Sequence, residues 1–270
     1  MKHYGNSEQY FSQFGRHINQ AETIKFFDEY IATLNCQDKL SYVFTEHTIA
    51  PTSVIHDDNG TAKIVVSLPI MYQEKRVLEV LNHEVGTHFL RKHNERSQVF
   101  YRERSKYNLK SYLCIEEGLA SLNTIYEQAI SPTSTPYLYQ AALHYYSSYL
   151  GSIMSFEEMH TTLKKYIHDP ERLWKQCVRV KRGLKDTVKK GGMFKDQVYL
   201  RGSVEILKNR HKIDFIALHS GKLNLKDYFR LMKNNDLKYD DGDLLLPYFL
   251  KDMNKYKKAL DRMAETNFIT

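Results

Sequence analysis

A chain of 270 residues is long enough to bury a substantial core in one large domain or two small ones. Its 42% hydrophobic and 26% charged residues are a globular balance, and a net charge of +7 favours an acidic partner, be it nucleic acid, an anionic surface or an acidic peptide. The sequence has no apolar run of about 18 residues to span a membrane, Met1-Lys2-His3-Tyr4-Gly5-Asn6 has no secretory apolar centre, and Cys36, Cys114 and Cys177 fit no zinc-binding spacing, so a cytoplasmic protein with reduced thiols and no membrane partner is expected.

Ser7 to Phe14 and Ala21 to Leu34 read as helices, the second on an apolar stripe of Ile24, Phe27, Tyr30, Ile31 and Leu34. Leu40 to Thr45 has the β-branched and aromatic content of a strand, and Thr48 to Val54, with Pro51, reads as irregular. Asp57-Asp58-Asn59-Gly60 is a turn leading into a strand from Ala62 to Leu68, which Pro69 ends. Tyr72 to Arg91 reads as a helix carrying Val77, Leu78, Val80, Leu81, Val85 and Phe89. After a charged, aromatic loop from Gln98 to Lys110, helices are expected over Ile115 to Ala129, Tyr137 to Leu150, Ser155 to Ile167 and Pro170 to Lys181. Ser155 and Glu158 form a capping-box pattern, and Asp169-Pro170 suits an N-cap followed by N1. Leu184 to Phe194 is a basic loop, Asp196 to Arg210 and Leu225 to Lys233 are helices, Asp240-Asp241-Gly242 is a turn, and a last helix covers Pro247 to Glu265. Residues 1–270 thus read as a single α+β domain, mostly helical, with a small N-terminal sheet.

Asn82-His83-Glu84-Val85-Gly86-Thr87-His88 carries the chemistry. Two neutral imidazoles can bind one Zn2+ if they aim at one point, which the common His-Glu-x-x-His pattern achieves by i,i+4 spacing. Here the spacing is i,i+5, which on a regular helix separates the two side chains by about 140°. One π-helical turn would bring them back to one face, and Gly86, lacking a Cβ, would ease it. The alternative is a chance cluster on a surface helix. The strand from Ala62 to Leu68, next to this helix, is a candidate edge for pairing with a peptide substrate; a plain core strand is the competing reading. A third ligand is needed. His93, Glu95, Glu103, Glu116 and Glu117 are available, with Glu116 or Glu117 favoured because they open a following helix. Gly118 and Ala120 would let that helix approach the metal helix.

His83 to Arg91, followed by Glu116-Glu117-Gly118-Leu119-Ala120-Ser121, resembles the microtubule-associated tyrosine carboxypeptidase family, whose bacterial relatives carry a Gln-Glu-Gly-Leu-Ala motif. Cys177 to Leu184, Lys195 to Gly202 and Ile213-Asp214-Phe215 resemble further family segments, so the likeness runs from about Tyr4 to Asn267. The resemblance implies a zinc metallopeptidase-like domain, its sheet packed beside the metal-binding helix. It implies one Zn2+ ion held by His83, His88 and Glu117, with Glu84 as the catalytic carboxylate. Glu116 stands where bacterial relatives carry Gln, which disfavours it as a ligand. The resemblance implies a long N-terminal extension in eukaryotic members, and a catalytic core or compact homologue without one is the expectation here.

From those parts a mechanism follows. Bound zinc would activate a water, from which Glu84 is expected to take a proton as general base and return it to the leaving amine, with Tyr199 donating to the oxyanion. A carboxypeptidase must read the terminal carboxylate, for which Arg179 and Arg182, then Lys195, are the candidates. Each of these four has a structural alternative as an ordinary salt bridge or core tyrosine. Lys181, Lys185, Lys189 and Lys190 offer charge for a tail ending in glutamates before its tyrosine. The expected function is therefore removal of the C-terminal tyrosine from an acidic tail, that of α-tubulin, with microtubules as partner and no nucleic acid or membrane. The alternatives are a zinc peptidase of other specificity and a non-catalytic basic module, against which no nucleic-acid motif is found.

Overall fold

The computed structural model describes residues 14–48, 50–239 and 244–270; the expected first helix (all but Phe14) and the turn Asp240-Asp241-Gly242 fall outside them. The described chain is α+β, about half of it helical, with one three-stranded sheet. Helix α1 (Gln20–Ala32) starts at a reciprocal cap, in which Asn19 accepts from the Glu22 N–H at 3.0 Å and Glu22 accepts from the Asn19 N–H at 2.9 Å. It buries Phe27, Tyr30 and Ile31 against the sheet.

The sheet consists of β1 (Leu40–Thr45), β2 (Thr52–His56) and β3 (Ala62–Ser67) in the order β1-β3-β2. β1 runs parallel to β3 and β2 antiparallel to it, with Thr52 opposite Val66 and His56 opposite Ala62. Two expectations are corrected here. The stretch 48–54 is irregular only as far as Pro51, because Pro51 has no ladder N–H to lose at the strand's start and still accepts from Ser67 N–H at 3.0 Å. β3 is the central strand, paired on both sides, so the substrate edge expected at Ala62 to Leu68 is not available. The edge next to the metal-motif helix belongs to β2. Asp57 N–H bonds Thr61 C=O at 2.9 Å. With the Pro51–Ser67 bond this fixes the ladder's phase: odd residues of β2 face β3, and the backbone groups of Thr52, Val54 and His56 face the open side.

The helix that follows runs as α2 (Val77–His83), a π-helical segment Glu84–Phe89 and α3 (Leu90–Asn94). Its Val77, Leu81, Val85 and Phe89 close the sheet's apolar core together with Ile64 and Val66. Full burial of a side chain such as Phe89 contributes roughly 1.5–3 kcal/mol.

Behind it lies α4 (Leu113–Thr124), separated from α5 (Tyr126–Ile130) by Ile125 at φ −95°, ψ 12°. Next come α6 (Tyr139–Ile153), α7 (Phe156–Leu163) and α8 (Pro170–Lys181), which enclose a core of Leu143, Leu150, Met159, Leu163, Leu173, Cys177 and Val180. The capping box at Ser155 and the Asp169 cap, which accepts from Arg172 N–H at 2.7 Å, both form. A 3-10 turn (Lys195–Gln197) leads to α9 (Val198–Asn209), then α10 (Phe215–His219), α11 (Leu225–Lys233) and α12 (Met253–Thr266), around a second core that includes Leu119, Leu122, Phe215 and Tyr256. α4 and α9 cross backbone to backbone. A Cβ on Gly118 would lie 2.2 Å from the Gly202 carbonyl carbon, and one on Gly202 would lie 1.8 Å from Cys114 O. Gly118 therefore admits α9, not the metal-motif helix as expected. No helix among the described residues is long and apolar enough to cross a membrane.

Candidate metal centre

The i,i+5 spacing of His83 and His88 is accommodated by the π-helical turn from Glu84 to Phe89, which places the rings with centroids 4.8 Å apart. A widened turn disturbs backbone pairing, and here a side chain repairs it: Thr87 Oγ1 donates to Asn82 C=O at 2.8 Å and accepts from Asn123 Nδ2 at 2.8 Å. Asn82 itself is clamped between Tyr30 Oη at 3.0 Å and Tyr248 Oη at 3.1 Å. Gly86 serves the turn through space rather than backbone freedom, since its φ is not positive. A Cβ there would meet Tyr30 Oη at 2.5 Å and Phe249 at 3.2 Å.

His83 Nδ1 lies 3.0 Å from Thr124 Oγ1, whose own hydrogen goes to Ala120 C=O at 2.8 Å. The hydroxyl oxygen must therefore accept, so His83 carries its proton on Nδ1 and leaves Nε2 bare. His88 Nδ1 lies 2.7 Å from Glu116 Oε1, and His88 Nε2 lies 3.7 Å from Glu117 Oε2. Ligand atoms of His83, His88 and Glu117 all lie within 4.8 Å of one another, the one such triad found among the described residues. With both Nδ1 atoms engaged elsewhere, two imidazole nitrogens and a carboxylate converge, which is a donor set that fits zinc.

The other candidate ligands are committed elsewhere. Glu95 binds Arg104 at 2.6 Å and Lys92 at 3.2 Å, and Glu103 pairs with Lys106 at 3.0 Å. Half-buried His93 has a buried, unpartnered Nδ1, and its ring packs 5.7 Å from Phe89. Glu116 is buried behind His88 and bonded to Arg91 and, at 2.9 Å, to Lys222.

Electrostatics differ sharply across this site. Burial, reinforced by the His88 charge, pushes His83 down to about 4. Burial also works against His88 protonation, but Glu116 and Glu117 outweigh it and raise His88 to about 9. Glu84 is pushed up to about 7 by burial. Burial works to raise Glu116 too, yet Lys222 and Arg91 hold it well below the usual carboxylate range.

On the far side of Glu117 stands Tyr199, pushed up to about 12 by burial and the Glu117 charge, and bonded to Arg179. Arg179 binds Asp196 through Nε at 2.5 Å and Nη2 at 3.1 Å, and Arg182 Nη1 reaches the same carboxylate at 3.3 Å. Two guanidiniums over one buried aspartate leave a net positive charge, and their side chains are 40% and 35% exposed. Lys195 is exposed beside them. Lys181 is not a groove cation: it is buried, and Nζ donates to the carbonyls of Gly151, Met154, Lys189 and Gly191. Lys185, Lys189 and Lys190 are exposed.

Four neighbours escaped the sequence reading: Thr124, Arg91, Lys222 and His56. Arg91 lies one turn beyond His88 and had a local signal; Lys222 and Thr124 arrive by tertiary packing and had none. His56 ends β2 with its ring parallel to Phe89 at 6.0 Å, and burial together with Lys222 pushes it down to about 4. Beyond it opens a cavity of about 270 Å³ lined in part by Lys92, Arg96, Tyr101, Arg102 and Arg104. Glu95 occupies Lys92 and Arg104; Arg102 pairs with Asp58 at 4.0 Å, Arg96 donates to Asp58 C=O, and the two stand 5.3 and 5.6 Å from the Tyr101 ring centroid.

Comparison with known proteins finds that residues 6–268 match the family model described as microtubule-associated tyrosine carboxypeptidase. Microtubule-associated tyrosine carboxypeptidase 1 of Mus musculus is 38% identical over 191 residues, covering 70% of this chain and 39% of that protein. Its Homo sapiens counterpart is 37% identical over 191 residues, with the same coverage. MATCAP2 of Mus musculus is 34% identical over 245 residues, covering 90% of this chain and 45% of that protein. The chain thus spans less than half the length of these relatives.

Proposed function

The chain belongs to the microtubule-associated tyrosine carboxypeptidase family, and on that premise we propose that it is a zinc-dependent carboxypeptidase removing the C-terminal tyrosine from an acidic tail, that of α-tubulin. The observation that carries this reading is the π-helical turn, which brings two histidines at an unfavourable spacing onto one side, facing Glu117. His83, His88 and Glu117 would hold the metal. Bound there, zinc would supply Lewis acidity and lower the pKa of a water towards 7.

This chain's own groups account for the rest. Glu84, next to His83 and with proton affinity raised to about 7 by burial, takes a proton from the attacking water and delivers it to the leaving amine. Tyr199, which stays protonated far above neutral pH, donates to the developing oxyanion. Asp196 holds Arg179 by its Nε edge, and the remaining guanidinium N–H groups, which also serve Tyr199, grip the terminal carboxylate, with Arg182 and Lys195 adding charge. The open backbone of Thr52, Val54 and His56 pairs with the substrate strand in the role first expected of β3. Arg179 and Arg182 stand with Tyr199, and Arg96 and Arg102, with Asp57 and Asp58 beside them, line the cavity at His56. A peptide laid across the metal would put its carboxylate on the first and upstream acidic side chains near the second. Microtubules are the corresponding partner.

The test uses two synthetic peptides of one acidic sequence ending in tyrosine, one with a free carboxylate and one amidated, incubated with zinc-loaded protein and read by mass spectrometry. Loss of tyrosine from the acid alone supports the proposal. Internal cleavage of both peptides would replace it with an endopeptidase.

A further inference from the structure

We infer that Glu116 is a positioning residue for the metal centre: it holds the His88 ring by Nδ1 so that Nε2 points at the ligand site. The inference rests on the metal-centre reading above. Glu116 and Glu117 are consecutive on α4 and so point about 100° apart. They take His88 from two sides, Glu116 Oε1 at 2.7 Å from Nδ1 and Glu117 Oε2 at 3.7 Å from Nε2. An ionised carboxylate only accepts, so the shared hydrogen comes from Nδ1, and Nε2 is the nitrogen left to give up its proton for a ligand bond.

The carboxylate itself has nowhere to move. Oε1 also accepts from Lys222 Nζ at 2.9 Å, and Oε2 accepts from Arg91 Nη1. Arg91 is fully buried and fastened in turn to Leu218 C=O at 3.2 Å and Gly221 C=O at 2.7 Å. The orientation of His88 is thereby tied to the end of α10 and the loop after it, distant in sequence from the metal motif. A carboxylate behind a ligating histidine fixes the ring and raises its basicity, and removing such partners costs about 10–100-fold in metal affinity.

Two conservative variants separate positioning from plain charge pairing. Glu116→Gln keeps the length and the acceptor facing Nδ1 but loses the charge; Glu116→Asp keeps the charge and withdraws from the ring. Zinc affinity is measured by competition with a chromophoric chelator, folding stability by urea denaturation, and the His88 Nδ1–H by 15N NMR of the zinc-loaded protein. Positioning predicts that Glu116→Asp binds zinc about 10–100-fold more weakly and loses the protected Nδ1–H resonance. It predicts that Glu116→Gln keeps the resonance and binds zinc more tightly than Glu116→Asp does, while being the less stable of the two. The reverse order, or Glu116→Asp binding zinc like the wild type, overturns the inference. A wild type that takes up no zinc overturns the metal-centre reading itself, which is a different result.

Discussion

Gly202→Ala is expected to damage both the fold and the metal centre, although residue 202 is a ligand to nothing. The new Cβ would sit 1.8 Å from Cys114 O and 2.9 Å from Gly118 Cα, both backbone atoms that no rotamer change can clear. α4 and α9 must part by more than about 1 Å before the methyl reaches ordinary van der Waals distance. Overpacking of this kind costs roughly 1–3 kcal/mol. Parting also breaks the Ser203 Oγ bond to Gly118 C=O, 3.1 Å long, worth about 1 kcal/mol. The better helix propensity of alanine returns about 1 kcal/mol, so a net loss of about 2 kcal/mol is expected. Because α4 carries Glu117, a shift of that size far exceeds the roughly 0.2 Å within which metal–ligand distances hold, and zinc affinity should fall at least about tenfold. Urea denaturation of the metal-free protein followed by far-UV circular dichroism gives the first quantity, and zinc titration the second. A variant within about 0.5 kcal/mol of wild type, with unchanged zinc affinity, would refute the claim that these two backbones touch.

Zinc uptake should displace about one proton from His88, which is protonated in the metal-free protein below about 9, whereas His83 at about 4 is already neutral. Affinity should then rise roughly tenfold per pH unit from neutrality towards pH 9 and level off; a flat profile contradicts the assignment. Without metal, the raised His88 stabilises the fold fully below its ordinary value of 6.5, and that contribution is lost as pH rises through about 9. Glu117→Ala should lose stoichiometric zinc by metal analysis, while full occupancy would require Glu116 to take its place. Arg179→Ala should raise KM for a peptide with a free carboxylate and shrink the difference between acid and amide; an unaltered KM would leave Arg179 as a plain partner of Asp196.

Much of the fold was legible because local chemistry decides it. Leu40 to Thr45, Pro170 to Lys181 and Leu225 to Lys233 appear with the bounds the sequence suggests, each with clean periodicity or a cap. The π turn was legible from spacing as the condition for His83 and His88 to serve one metal, since no regular helix could bring them together, and the turn is present. What escaped depends on distant partners. β2 exists because β3 pairs with it, and its short run after Pro51 carries little signal of its own. The place of Gly118 against Gly202 rather than the metal-motif helix is a matter of which helices meet. Lys181 reads as one more surface charge in a basic run, yet four carbonyls bury it. Among the site residues, the adjacent glutamates stood out in sequence, but their division around His88 needed the orientation of α4.

The measurement that bears most directly on the central claim pairs wild type with Glu84→Gln, both zinc-loaded, on a peptide ending in Glu-Gly-Glu-Glu-Tyr. Mass spectrometry should show the wild type removing the terminal tyrosine and nothing else. Metal analysis should show the variant holding as much zinc as wild type while leaving the peptide intact. Turnover by Glu84→Gln at the wild-type rate would contradict the role of Glu84 as the proton carrier, and with it the account of how this site works.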